Sequence, residues 1–298
     1  MKHVLIAGIS GYIGSHLALD LLKKGIKVFG LVRKPLHSEY IIDFKNKLNL
    51  YTYDGSYESV LKAVESSKPD IVYHMATCYA ANHSSNQIAD INSCNILFGN
   101  YILEAMKEYN IKNIVYPSTA FCHYNNGKYN PLNLYSATKQ AFSDIMRYYT
   151  DACGISSLTL VLTDSYGPGD RRQKILNLIK RAYRENKPIE LSSGTQVYDV
   201  LYIDDIVNAL EQAGILLEQQ KESSSVYQIY NKNPLTLKET VELMKKTVNV
   251  QIGTRWGARP QPKRSIDNKV RVDPLLPGWN IQVPLEEGLK KFWFDDNI

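Results

Sequence analysis

With 298 residues, 44% hydrophobic and 22% charged, the chain can bury a substantial core without disulfide or metal stapling, which excludes a disordered or fibrous protein. Lysine and arginine (35) exceed aspartate and glutamate (30) by five, a mild positive balance that suits an anionic small molecule. With no long basic tract, it argues against nucleic acid as a partner.

Cys78, Cys94, Cys122 and Cys153 form no CxxC pair and no zinc-like spacing, so reduced thiols, no metal site and a cytoplasmic setting are expected. The opening Met1-Lys2-His3 runs straight into a short apolar stretch unlike a signal peptide, and no segment approaches the roughly 18 apolar residues of a membrane span.

Through the first 160 residues short β-branched runs alternate with helical patterns, as in a parallel sheet covered on both faces. Strands are predicted over 4–7, 28–32, 71–75, 114–117 and 157–162, with one more just before Asp54. Helices are predicted over 13–24, 57–66, 89–109 and 133–152. After Tyr166-Gly167-Pro168-Gly169 the rhythm changes, with helices over 175–184, 206–217, 237–247 and 285–293 among strands over 188–192, 198–203 and 226–229. The predicted fold class is α/β, a Rossmann-like doubly wound parallel sheet with a smaller mixed α/β substrate-binding region. The division falls at 1–168 and 169–298, some later segments returning to the main sheet.

Gly8-Ile9-Ser10-Gly11-Tyr12-Ile13-Gly14 joins the first strand to its helix. Glycines at this junction permit a tight turn, close approach of a pyrophosphate and close helix-strand packing, with the phosphate on the helix's free amides. Residues 1–168 therefore read as a dinucleotide-binding domain in which Gly8, Gly11, Tyr12, Ile13 and Gly14 cradle the cofactor. An NAD-selective site usually ends its second strand with a carboxylate for the ribose, whereas Val32-Arg33-Lys34 offers two cations suited to a 2'-phosphate. NADPH is the expected cofactor, with NAD as the alternative. Asp54 is placed to accept from the adenine amino group, and Ala76, within His74-Met75-Ala76-Thr77, to line the central part of the dinucleotide.

Tyr135-Ser136-Ala137-Thr138-Lys139 opens a helix, and residues four apart share one helical face. A free tyrosine is a poor acid-base catalyst at neutral pH; a nearby ammonium favours its phenolate. Ser118-Thr119-Ala120 ends a parallel strand on the side where ligands bind in this architecture, so Thr119 can hold a carbonyl oxygen beside the Tyr135 hydroxyl.

Together with Tyr202-Ile203-Asp204-Asp205 and Leu285-Glu286-Glu287-Gly288-Leu289, these motifs give a chain that resembles the extended short-chain dehydrogenase/reductase family over nearly its whole length. The resemblance implies a catalytic set of Thr119, Tyr135 and Lys139: Tyr135 as acid-base, Lys139 on the nicotinamide ribose and Thr119 on the substrate. It also implies a supporting role for Asn95 beneath the site and a homodimer built on the helices around 91–109 and 131–152.

Departures from the family pattern narrow the expectation. Ala120-Phe121 stands where dehydratases carry Asp-Glu after the catalytic Ser or Thr, which disfavours a 4,6-dehydratase. Cys122-His123 replaces the usual Tyr-Gly and either contacts the sugar or packs. Asp164 stands for an Asn and Tyr198 for an Arg at positions the family uses around nucleotide and pyrophosphate. Arg171, Arg172, Arg259 or Arg264 are then the candidates to neutralise a diphosphate.

The pattern is similar to the bacterial branch reducing 4-keto-6-deoxyhexoses attached to CDP or dTDP. The expected activity is NADPH-dependent reduction of C4 of such a sugar nucleotide. A nucleotide-sugar 4-epimerase with tightly bound NAD is the alternative, and a non-catalytic cofactor-sensing protein a third reading.

Overall fold

The computed structural model describes residues 1–33, 39–219 and 224–295. Its first half runs β1 (His3–Ala7), α1 (Tyr12–Lys23), β2 (Lys27–Arg33), β3 (Asn49–Tyr53), α2 (Tyr57–Ser67) and β4 (Ile71–His74). Then come α3 (Ile88–Asn92), a π-helical turn (Ser93–Leu97), α4 (Phe98–Glu108), β5 (Asn113–Thr119), α5 (Leu134–Cys153) and β6 (Ser156–Leu162). The remainder forms β7 (Asp164–Tyr166), α6 (Ile175–Arg184), β8 (Ile189–Glu190), β9 (Val197–Tyr198), β10 (Val200–Tyr202) and α7 (Ile203–Gln219). It closes with β11 (Ser224–Gln228), β12 (Leu235–Thr236), α8 (Leu237–Val248), β13 (Thr254–Arg255) and α9 (Leu285–Trp293).

Seven strands make one parallel sheet in the order β11-β6-β5-β4-β1-β2-β3. Its central strands are continuous apolar runs because helices cover both faces. Alternate residues of β1 point to opposite sides: Val4 and Ile6 join Leu17, Leu21, Ile206 and Leu210 under α1 and α7. Leu5 and Ala7 join Ile102, Met106 and Phe142 under α4 and α5. The order reverses between β1 and β4, a switch point whose crevice opens at the carboxyl ends of the strands.

The structure therefore shows the Rossmann-like class, with two local departures from the predicted elements. The single helix over 89–109 is interrupted by the π-helical turn, because Asn95 is drawn onto the loop after β4. The strand over 198–203 is cut at Asp199, which accepts from the Asn231 amide at 3.0 Å and pairs with Arg271 at 2.9 Å. Residues 203–205 instead open α7.

The C-terminal part is fastened to the sheet by buried polar contacts. Buried Lys180 of α6 donates to the Phe292 and Asp295 carbonyls at 2.9 and 2.7 Å, capping the end of α9. Asp205 accepts from the Gln282 amide at 2.7 Å, while its own carbonyl accepts from the Trp279 indole at 2.9 Å. Among the described residues no helix is long and apolar enough to cross a membrane.

Candidate active site

At the switch point, Gly8 follows β1 with φ +87°, and a Cβ there would stand 2.5 Å from the Ala76 nitrogen. A Cβ on Gly14 would collide with the Gly8 carbonyl, so the first turn of α1 lies directly on the glycine turn. Gly11 is the N-cap of α1 and brings no side-chain cap, leaving the cap position to an external acceptor. These close approaches fit the cradle of a dinucleotide pyrophosphate.

A cleft of about 600 Å³ runs from this turn across the ends of β2, β4, β5 and β6. Gly8, Gly11, Tyr12, Ile13, Gly14, Arg33 and Ala76 line one part of it, and Thr119, Tyr135 and Lys139 the floor. Thr119 is placed by β5, its Oγ1 accepting from the Phe121 amide at 3.3 Å. Tyr135 and Lys139 are placed by α5, whose start is fixed by a capping box between Asn133 and Ser136. Arg172 and Lys174 reach the cleft from the loop before α6, together with Asp164.

Burial governs the electrostatics of the floor. It pushes the Tyr135 phenol above its usual range, outweighing the downward effect of a hydrogen bond with the Thr77 side chain. It lowers Lys139 to about 7. Burial also opposes charge on Asp164, but Lys174 at 2.7 Å outweighs it and holds the carboxyl below its usual range.

Asn95, the residue of the π-helical turn, braces this floor. Its Oδ1 accepts from the Cys78 amide at 2.7 Å and the Thr77 hydroxyl at 3.1 Å. Its Nδ2 donates to the Cys78 carbonyl at 3.1 Å and to Thr138 Oγ1 at 2.9 Å. Thr138 in turn donates to the Tyr135 carbonyl at 2.7 Å. One amide thus ties the loop after β4 to the helix carrying Tyr135.

Other sequence-derived candidates sit elsewhere. Cys122 is buried and directs Sγ to the Ser136 carbonyl at 3.3 Å, so it packs against α5 instead of lining the cleft. His123 is buried beside it, Nε2 3.4 Å from Asp273. Burial disfavours its charge, but Asp273 outweighs burial and raises the imidazole. Tyr198 lies on β9 outside the cleft, where burial raises its phenol well above the usual range.

Arg171 pairs with Glu39 on the surface, and exposed Arg259 donates its backbone amide to Leu191 at 3.1 Å. Arg264 stacks on Tyr124 at 4.1 Å. Of the four arginines weighed for a diphosphate, only Arg172 lines the cleft, held by Asp170 at 2.7 Å and lying 4.4 Å from the Tyr12 ring. Asp54 is exposed and bonds the Ser56 amide and hydroxyl at 2.9 and 2.6 Å, away from the cleft lining. Lys34 lies outside the described residues.

Sequence reasoning missed Tyr79, Cys94 and Lys174, all of which line the cleft. Tyr79 meets Tyr135 edge-on at 5.0 Å, with the Lys174 ammonium 5.1 Å from its ring centre. None of the three belongs to a spaced motif, and only the fold brings them together. Among the described residues no cluster of metal-ligating side chains occurs.

Residues 4–231 match the family described as the NAD dependent epimerase/dehydratase family, and the chain belongs to that family. It is 26% identical over 297 residues to CDP-abequose synthase of Salmonella muenchen, covering 97% of this chain and 96% of the relative. It is also 26% identical over 331 residues to UDP-glucuronate 4-epimerase of Thermodesulfobacterium geofontis, covering 100% and 98% of the two chains. The solved structure of MoeE5 with UDP-glucuronic acid and NAD superposes with a TM-score of 0.81 at 24% identity, covering 97% of each chain, and so shares the fold.

Proposed function

We propose that the protein reduces the C4 keto group of a CDP- or dTDP-linked 4-keto-6-deoxyhexose, using NADPH. The observation that carries this reading is the convergence of Thr119, Tyr135 and Lys139 with the glycine turn and Arg33 in one cleft. The likeness to CDP-abequose synthase supports the reductive direction.

The chemistry that a nicotinamide cofactor would supply when bound here is the hydride for the sugar carbon. Tyr135 donates its hydroxyl proton to the alkoxide forming at C4, so carbonyl, hydride and proton yield the secondary alcohol. Thr119 hydrogen-bonds the same oxygen and holds the carbonyl against Tyr135. Lys139 would place a positive charge beside the phenolate left behind and would hold the ribose hydroxyls of a bound cofactor. Arg33 would hold the adenosine 2'-phosphate of NADPH, and Arg172 and Lys174, which also line the cleft, would offer cations to the substrate diphosphate.

The 4-epimerase reading rests on a specific observation as well: UDP-glucuronate 4-epimerase is as similar to this chain as CDP-abequose synthase is. The same residues would then oxidise and re-reduce C4 with a retained cofactor. A panel of CDP- and dTDP-4-keto-6-deoxy sugars with NADPH separates the two. Stoichiometric NADPH oxidation by one of them is the expected result. Protein that purifies with bound NAD and interconverts UDP-hexoses or UDP-hexuronates without net cofactor turnover would establish the epimerase instead.

A further inference from the structure

Tyr116 belongs to no motif and makes no contact with the cleft lumen, yet it lies directly under the lysine that does. It is fully buried on β5, and the Lys139 ammonium stands 4.1 Å from its ring centre. Its hydroxyl donates to the backbone carbonyl of the same Lys139 at 3.3 Å. The ring is fixed in turn by Phe142, edge-on at 4.8 Å, and by His74, stacked at 5.7 Å with planes 22° apart.

The groups around the ammonium decide what kind of attraction this is. Cys94 faces it from the π-helical turn, Cys122 from the loop after β5, His74 from β4 and Tyr135 from its own helix. Burial raises both thiols and the Tyr135 phenol, and lowers His74 to about 3, so all four are neutral near pH 7. Burial likewise keeps the Tyr116 phenol protonated. None of these groups supplies an anion, whereas the π face of Tyr116 presents negative potential to the ammonium 4.1 Å from its ring centre.

We propose that Tyr116 is a positioning residue whose aromatic face takes the place of a counter-ion and keeps the Lys139 ammonium charged and seated in the cleft floor. The proposal rests on the reading of Lys139 as a cofactor-binding residue. It has a physical consequence of definite sign. Burial already brings Lys139 to about 7, so the ring's attraction sets how far into neutral pH the charge survives. Weakening the ring lowers the titration midpoint and moves the alkaline loss of cofactor binding to lower pH.

The test replaces Tyr116 with phenylalanine and then with mono-, di- and trifluorophenylalanine, which drain the π face with little change of volume. Lys139 is followed by NMR of 13Cε-labelled lysine, its resonance assigned with Lys139→Arg. Tyr116→Phe should titrate as the wild type does, and the fluorinated series should lower the midpoint progressively, by about one pH unit in total. NADPH affinity at pH 7.5 should fall several-fold in the same order. A midpoint that stays fixed across the series overturns the proposal. Wild-type protein that binds neither NADPH nor NADH would instead overturn the functional reading, and the NMR series would still decide the role of the ring.

Discussion

Tyr135 and Arg33 carry opposite ends of the proposed reaction, and each can be removed without disturbing the other. Tyr135→Phe keeps the ring that packs on Tyr79 at 5.0 Å and deletes only the ionisable hydroxyl. Turnover should fall by about 10² to 10⁴-fold, the usual worth of a positioned acid-base group, while cofactor affinity by fluorescence titration holds. Near-wild-type turnover in the folded variant would assign the proton to another group. Arg33 is exposed at the end of β2 and lines the cleft, where its planar fork suits a 2'-phosphate. Arg33→Ala should therefore weaken NADPH much more than NADH, and equal losses in a binding assay would refute the preference for NADPH.

Among the elements, the π-helical turn has the most concentrated role, since it spends a regular stretch of helix to aim one amide. Asn95→Ala would leave the buried Thr138 hydroxyl, the half-buried Cys78 amide and carbonyl and the exposed Thr77 hydroxyl without this partner. Unsatisfied buried groups of this kind cost about 1–3 kcal/mol each, less where a neighbour or water substitutes. A loss of about 2–3 kcal/mol in urea unfolding is expected. Turnover should drop as well, because the brace also holds the helix that carries Tyr135; an unchanged unfolding midpoint would contradict the brace. The cap at the start of α5 acts in the same direction, fixing where the helix begins and so the facing of Tyr135 and Lys139.

For the whole molecule, the outstanding question is how the α3–α5 flank is covered. α4 and α5 pack on one another, and Ile88 and Leu97 (each 41% exposed) and Tyr148 (61%) leave apolar surface around them. We predict a two-fold homodimer through this flank, the commonest closed assembly. Sedimentation velocity at micromolar concentration should give a two-chain mass, and Leu97→Glu with Tyr148→Glu should return it to one chain. A wild-type chain that sediments singly at that concentration would exclude the dimer.

The sequence by itself determined the parts whose geometry is local. The glycine turn, the Tyr135-x-x-x-Lys139 spacing and the end of β5 were legible because strand, turn and helix periods fix where neighbours in the chain must point. α6 and α9 fall on their predicted ranges for the same reason. Tertiary structure alone decided which polar residues share the cleft. Arg171 and Arg172 are adjacent, yet one pairs with Glu39 on the surface and the other lines the cleft over Tyr12. Cys122 and His123 turn into the packing beside α5 and Asp273, while Tyr79 and Lys174, 95 positions apart in the chain, meet across the cleft at 5.1 Å. Such choices depend on burial and pairing between distant segments, and a short stretch of sequence carries no periodic signal for the partner it will meet only after the chain has folded.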